Sequence, residues 1–292
     1  MKLITLNCFL SPWSTKRKTR LPLIIKALSE EKPDIILLQE VFFKSDAKYI
    51  IENLLKQGYV YCFYSKTLLI ISKYPFISRS YQNFKPRFSY NIFLYLVECL
   101  NWIYGKGCQV VEVNPVRDDG GFKPPSSREN RVSPPTSPLA FSNGVKFNNQ
   151  EVIIVHTHLL SIYGRDNGSY GKARLRQLLK ICGFLQQQTS LKPIILAGDF
   201  NFDLNSPSYQ TLVNHLGFID PLKEIAGNTI STDNSNRQSF LMAKMNQRID
   251  HIFIKGFEGT KTSGAIVFKQ PILSAGKQLH ISDHFGLALN LN

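Results

Sequence analysis

Short aliphatic runs that stop at a polar residue constrain this chain more than any other feature. The clearest is Pro193-Ile194-Ile195-Leu196-Ala197, which breaks into Gly198-Asp199-Phe200-Asn201. Such an unalternating run suits a strand buried on both faces. Gly198 allows a turn that a Cβ would resist. Asp199 and Asn201 lie two apart, so in extended backbone both side chains leave the same face. A carboxylate and a carboxamide side by side at a strand end can orient a water and hydrogen-bond a phosphoryl oxygen.

The same pattern recurs along the chain. A strand over 2–7 ends at Asn7, and Asp34 opens Ile35-Ile36-Leu37-Leu38, which ends at Gln39-Glu40. Glu40 there is either a surface loop residue or a metal ligand at a strand end. Between these strands, Ser14 to Arg20 carries four cations and reads as a solvated loop or as one facing phosphate or membrane. Leu21 to Lys32 predicts a helix with Leu21, Ile24, Ile25 and Leu28 on one stripe, Pro22 in its first turn and Pro33 at its stop. A second helix is expected over 45–57, then strands over 59–64 and 67–72. Residues 88–104 are strongly aromatic, with Glu98 the only charge. They fit a core helix or strand, or a partly exposed apolar patch that docks on a lipid interface.

Gly105-Lys106-Gly107 leads into a strand over 108–113. Residues 114–144 hold six of the fifteen prolines and read as a flexible surface insertion within a single domain, 1–292. The strands beside it, 108–113 and about 151–157, can pair as a long hairpin. The second delivers His156 and His158 to one face. A helix over 172–188 is expected to turn Leu175, Leu178, Leu179 and Phe184 inward. After a short helix near 206–216 and a polar loop to about 246, the strand 248–254 carries Asp250 in an apolar setting. Ser282-Asp283-His284 precedes a last strand, Phe285 to Leu291. Strands and helices alternate without a Gly-rich dinucleotide fingerprint, so the class is α/β, with many strands in two sheets.

A chain of 292 residues supports a substantial core, and 43% hydrophobic with 19% charged residues is ordinary globular composition. The formal charge of +14 points to an anionic partner: nucleic acid, an acidic membrane surface or a phosphorylated substrate. Five cysteines without close paired spacing argue against a disulfide framework or a structural zinc site and fit a reducing compartment. Leu3-Ile4-Thr5-Leu6 is too short for a signal-peptide core, and no apolar run is long enough to span a bilayer. A cytoplasmic or peripheral-membrane location is expected, with export by a route lacking a cleaved signal left open.

Asn7, Glu40, His158, Asp199, Asn201, Asp250, Asp283 and His284 each sit at or beside the end of an expected strand. Hard oxygen ligands with few imidazoles favour Mg²⁺, with Mn²⁺ possible, over zinc. Such an ion neutralises phosphate charge during in-line displacement. A histidine near its ordinary pKa, oriented by a buried carboxylate, can take a proton from water, and His284 with Asp250 would make that pair. This is metal-assisted phosphoester hydrolysis.

TLN at 5–7, LQE at 38–40, SKYP at 72–75, THL at 157–159, GDFN at 198–201, RID at 248–250 and SDH at 282–284 stand in one order. In that order the chain resembles the endonuclease/exonuclease/phosphatase superfamily. The resemblance covers essentially everything except 114–144. It implies a four-layer α/β sandwich, two mixed β-sheets packed face to face with helices outside, and a Mg²⁺ site at one edge. It further implies Glu40 as the principal metal ligand with Asn7 and Asp283 beside the metal, and Asp199 orienting the attacking water. Asn201 and His158 would hold the scissile phosphate, and Asp250 would orient the base His284. His156 is expected to be a buried supporting or core histidine. His251 should face away, and His215 and His280 should be loop or surface residues.

LNCF at 6–9, LQEVF at 38–42, GKG at 105–107, GNT at 227–229 and RIDHIF at 248–253 look most like the neutral sphingomyelinase branch. That likeness implies a phosphodiesterase of phospholipase C type, releasing phosphocholine from a choline phospholipid at a membrane surface. Aromatic faces could hold the choline cation. The alternatives are a nuclease acting on DNA or RNA, or an inositol-phosphate phosphatase.

Overall fold

The computed structural model describes residues 1–14, 16–86, 92–103, 105–113, 151–161, 168–188, 192–236, 246–274 and 276–292. The expected insertion at 114–144 lies outside them. In chain order the first half runs β1 (Lys2–Asn7), α1 (Arg17–Glu31), β2 (Ile35–Gln39), α2 (Lys44–Leu55), β3 (Tyr61–Ser65), β4 (Leu68–Ser72), β5 (Phe76–Asn83), α3 (Ile92–Ile103) and β6 (Gly107–Val113). Then come β7 (Val152–His158), α4 (Ser169–Gln188), β8 (Ile194–Asp199) and α5 (Pro207–Gln210), the last continued by one wide turn, Thr211–His215. The chain ends with β9 (Asp250–Lys255), β10 (Thr262–Val267), the hairpin β11 (Ile272–Ser274) and β12 (Lys277–Leu279), and β13 (Gly286–Leu291).

Two mixed sheets form, ordered β10-β13-β1-β2-β4-β3 and β5-β6-β7-β8-β9. Their parallel neighbours are β1 with β2 and β7 with β8, each pair joined through a helix, α1 and α4. A parallel pair needs such a crossover, and the aliphatic runs are long enough for strands covered on both sides. Residue alternation then divides each strand between two cores. Leu3, Ile35, Leu37, Val152, Ile154, Ile195, Ala197, Ile252 and Leu289 pack between the sheets. Ile4, Leu6, Ile36 and Leu38 face outward onto Leu21, Ile24 and Leu28 of α1 and Ile50 and Leu54 of α2. Val155, Leu196 and Phe253 face the other way, onto Leu178 and Ile181 of α4 and Tyr209 of α5. The result is the expected four layers. Truncating one of these buried leucines to alanine costs about 2–5 kcal/mol.

β6 and β7 pair antiparallel from Cys108 opposite Thr157 to Val113 opposite Val152, the long hairpin anticipated across the insertion. Three local expectations are corrected. Residues 17–20 are not a solvated loop but the first turn of α1, where Arg20 is fully buried. Pro22 therefore stands inside the helix rather than in its first turn, and it is tolerated because the stripe from Leu21 to Leu28 is packed against β1 and β2. Leu179 is exposed, because α4 turns Leu178, Ile181 and Cys182 to the sheet instead. Among the described residues, no helix is long and apolar enough to cross a membrane.

Candidate active site

Inward alternation has one further consequence. On β1 the inward residues are Leu3, Thr5 and Asn7, and on β7 they end in His156 and His158, so the polar ends of several strands gather at one edge of the inter-sheet space. Register fixes their neighbours: Asn7 lies opposite Gln39, His158 opposite Asp199, and Asp199 opposite Asp250. β13 runs antiparallel to β1, which returns Ser282-Asp283-His284 to the same edge. There the Ser282 hydroxyl donates to the Asn7 carbonyl at 2.5 Å.

One half of the site centres on Glu40 and Asp199. The Asn7 amide donates to Glu40 Oε1 at 3.3 Å and to Asp199 Oδ2 at 3.0 Å, while its oxygen accepts the Phe9 N–H. Asn7 thus offers the carboxylates an N–H, and it would have to turn over to offer a cation its oxygen. His158 Nε2 lies 3.1 Å from Asp199 Oδ2 and 4.0 Å from Glu40 Oε1. Asn201 donates its backbone N–H to Asp199 Oδ1 at 3.0 Å and its amide to the Leu159 carbonyl at 3.2 Å. Glu40 and Asn201 both have left-handed backbone, φ 59° and 54°, which non-glycine residues seldom adopt outside functional turns. Gly198 has φ 145°, and a Cβ there would stand 1.9 Å from the Thr157 carbonyl oxygen. That glycine lets β7 and β8 lie close enough to present His158 and Asp199 together.

The other half is a dyad. His284 Nδ1–H donates to Asp250 Oδ2 at 2.8 Å. Thr229 Oγ1 accepts the backbone N–H groups of Ile249 and Asp250, and the Thr229 carbonyl accepts that of Phe285. The GNT segment therefore ties the start of β9 to the residue after His284. One ligand atom each from Asp199, Asp250 and His284 lie within 4.8 Å of one another, which joins the two halves.

Burial would lift the Asp199 carboxyl, but His158, His284 and Lys106 together hold it below the usual carboxylate range. Burial pushes Asp283 up to about 7, with Glu40 adding to the rise and His284 and Arg20 opposing it. Asp250 is also raised by burial, against the pull of His284. Burial would lower His284, yet Asp250, Asp283 and Asp199 outweigh it and hold the imidazole well above its ordinary pKa. These carboxylates favour the protonated imidazole of His284, where the sequence predicts a histidine near its ordinary pKa.

A hard divalent cation fits this donor set. Carboxylates converge that oppose one another's ionisation, and Asp250 Oδ1 is buried without a hydrogen-bond partner among the described residues. Glu40 is the least enclosed of these acids, its side chain 19% exposed.

Sequence reasoning missed Lys106. Its amine is buried and in hydrogen-bond contact with His158 Nε2, and burial lowers its pKa to about 8 although Glu40 and Asp199 favour the cation. Cation and carboxylate thus compete for one ring nitrogen of His158. A signal existed: pairing 108–113 with 151–157 puts the Gly-Lys-Gly beside His158. Arg20 was also missed, having been read as one of a basic run. Its guanidinium binds the carbonyls of Cys8, Phe9 and Ile281, next to Asn7 and Asp283.

The remaining histidines divide. His156 accepts from the Gln39 amide at 2.6 Å and donates to Gln109 Oε1 at 3.1 Å, a buried core residue whose pKa burial lowers to about 3, with His158 adding. His251 faces away from the cleft, stacking with Phe202 and Phe253 and bonding the Phe202 carbonyl at 2.8 Å. His215 is exposed as expected. His280 is the expected loop residue, just after β12, but it is buried between Ser235, the Lys269 carbonyl and the Phe285 ring.

Residues 4–284 match the Endonuclease/Exonuclease/phosphatase family. The chain belongs to that family. Members of that family are metal-dependent hydrolases of phosphoesters. It is 25% identical, over 97% of its length, to a Drosophila melanogaster protein described as "Putative neutral sphingomyelinase", and spans 59% of that relative. Its fold matches sphingomyelinase C from Streptomyces griseocarneus with a TM-score of 0.66 at 17% identity, covering 100% of this chain and 99% of that one. It matches TDP2 from Caenorhabditis elegans with a TM-score of 0.66 at 16% identity, covering 99% of this chain and 74% of that one.

Proposed function

We propose that the chain is a Mg²⁺-dependent phosphodiesterase of the sphingomyelinase or phospholipase C type, releasing phosphocholine from a choline phospholipid at a membrane surface. The observation that carries this reading is the meeting of Glu40, Asp199, Asp250 and Asp283 with two histidines and a buried lysine at one sandwich edge. Likeness to the Drosophila relative supports the choice of lipid. The same donor set would accept Mn²⁺.

Glu40, with Asp283 and Asn7 beside it, would hold the cation, which neutralises phosphate charge and steadies the oxygen charge that grows in displacement. Asp199 orients the attacking water. His284, held by Asp250 through Nδ1, would present Nε2 to take the water's proton. Asn201, His158 and Lys106 hold the scissile phosphate. The water oxygen bonds to phosphorus as the bond to the leaving oxygen breaks, and that oxygen takes the proton His158 Nε2 shares with the Lys106 ammonium and Asp199.

The decisive assay is a substrate panel of sphingomyelin, lysophosphatidylcholine, inositol phosphates and duplex DNA, with and without Mg²⁺. Phosphocholine should appear from the choline lipids, stop with chelator, and fall at least about a hundredfold in Glu40→Gln. No phosphocholine release from either lipid would refute the assignment. The net charge of +14 favours a second reading, a nuclease, which would show instead as plasmid nicking with steep salt dependence.

A further inference from the structure

Helix α3 packs Val97 inward against Leu160 and Ala173 but turns other apolar side chains out. Its polar residues Glu98 and Asn101 are buried, while Leu96, Leu100 and Ile103 are 54%, 49% and 63% exposed and Trp102 is 39% exposed. Positions 96, 100 and 103 share one helical face. Scattered exposed apolar residues are unremarkable, but an apolar ridge over a polar buried side is not. Glu98 is turned in towards α4, where Arg176 pairs with it at 2.6 Å. Leu179, against expectation also exposed, lines the hollow between the two helices together with Phe84, Lys85 and Lys180.

We propose that α3, with Leu179 beside it, is the face by which this protein docks on a bilayer containing anionic phospholipid. The helix has 12 residues, about 18 Å of rise, against the roughly 30 Å of a hydrocarbon core, so it lies in the interface and does not cross. The exposed Lys85 and Lys180 line the hollow between α3 and α4 beside Leu179, where they offer anionic headgroups complementary charge. The C-terminal end of α3 is also tied to the candidate site. Trp102 O accepts the Gly105 N–H at 3.0 Å, Asn101 O accepts the Lys106 N–H at 2.9 Å, and the Lys106 side chain reaches His158. Docking α3 therefore brings headgroups to the mouth of the site. The inference deepens the lipid-hydrolase reading and rests on it for its purpose, but binding is measurable apart from turnover.

The test uses the full chain in chelator, with phosphatidylcholine vesicles that contain or lack phosphatidylserine. Wild type should cosediment with the serine-lipid vesicles, and brominated lipid should quench Trp102 in a Trp13→Phe background. Leu100→Glu with Ile103→Glu should weaken vesicle binding roughly a hundredfold or more. Lys85→Glu and Lys180→Glu should each cost about fivefold, only where phosphatidylserine is present. The apolar variants should keep wild-type unfolding midpoints and hydrolysis of a soluble bis(nitrophenyl) phosphate, which separates lost docking from lost folding. Wild-type vesicle binding in the apolar variants overturns the proposal. So does failure of wild type to bind, or sedimentation velocity showing a dimer that those variants abolish, since a second copy is then the occupant. Vesicle binding through α3 without release of phosphocholine refutes the proposed substrate and leaves the docking face standing.

Discussion

Replacing Lys106 with methionine should make this protein more stable and nearly inactive. The amine is fully enclosed, and burial lowers its pKa from 10.5 to about 8 even with Glu40 and Asp199 favouring the cation. At about 1.4 kcal/mol per pH unit, keeping that charge in the fold costs about 3 kcal/mol. The sign follows from where the proton sits. Below pH 8 the lysine is charged in both folded and unfolded chains and the whole cost is present; as pH rises from 8 to 10.5 the folded form sheds its proton first and the cost disappears. Methionine has a similar length and no charge to desolvate. Urea unfolding in chelator should therefore show Lys106→Met stabilised by about 3 kcal/mol at pH 7, with the advantage gone above pH 10.5. Hydrolysis of a soluble phosphodiester with Mg²⁺ should fall about 10²–10³-fold, the usual loss when one donor to a developing oxyanion is removed. A variant less stable than wild type at pH 7, or one with unchanged turnover, would refute this account of Lys106.

Two further perturbations address the strand ends. Asp250→Asn removes the largest influence that raises His284, so the basic form of the imidazole persists to lower pH. The acid limb of the kcat/KM profile should move to lower pH, with kcat reduced about 10⁴-fold by the lost orientation; an unmoved limb would mean that His284 is not the titrating base. Gly198→Ala forces a Cβ against the Thr157 carbonyl at a backbone angle alanine resists, and should destabilise by about 3 kcal/mol in urea titration, with activity lost as His158 and Asp199 separate. An unchanged midpoint would show that β7 and β8 do not need their close approach.

Much of the site was legible because its chemistry sits where aliphatic runs stop. Glu40 after Ile35–Leu38 and Asp199 after Ile194–Ala197 are visible as polar breaks, and residue parity on a strand tells which neighbours share a face. Parity also separated His251, on the outer face of β9, from Asp250 on the inner one. The same logic had no hold on Lys106 or Arg20. Each lies outside a periodic strand, Lys106 between two glycines and Arg20 at the end of a basic run, and its burial depends on segments far away in sequence: β7 for one, the 281 region for the other. The burial of the loop residue His280 escaped sequence reasoning for a similar reason, since its partners Ser235 and Lys269 come from two separate loops.

By itself the sequence determined the layered α/β class and the set of polar residues available for phosphoester chemistry, because strand alternation and short buried runs are local properties of the chain. Only the tertiary structure decided which of those residues meet, how their charges push one another's protonation, and which face of α3 is turned outward. Those outcomes depend on distances of a few ångströms between side chains far apart in sequence, and on how much water the packing excludes, and neither is written in any single segment.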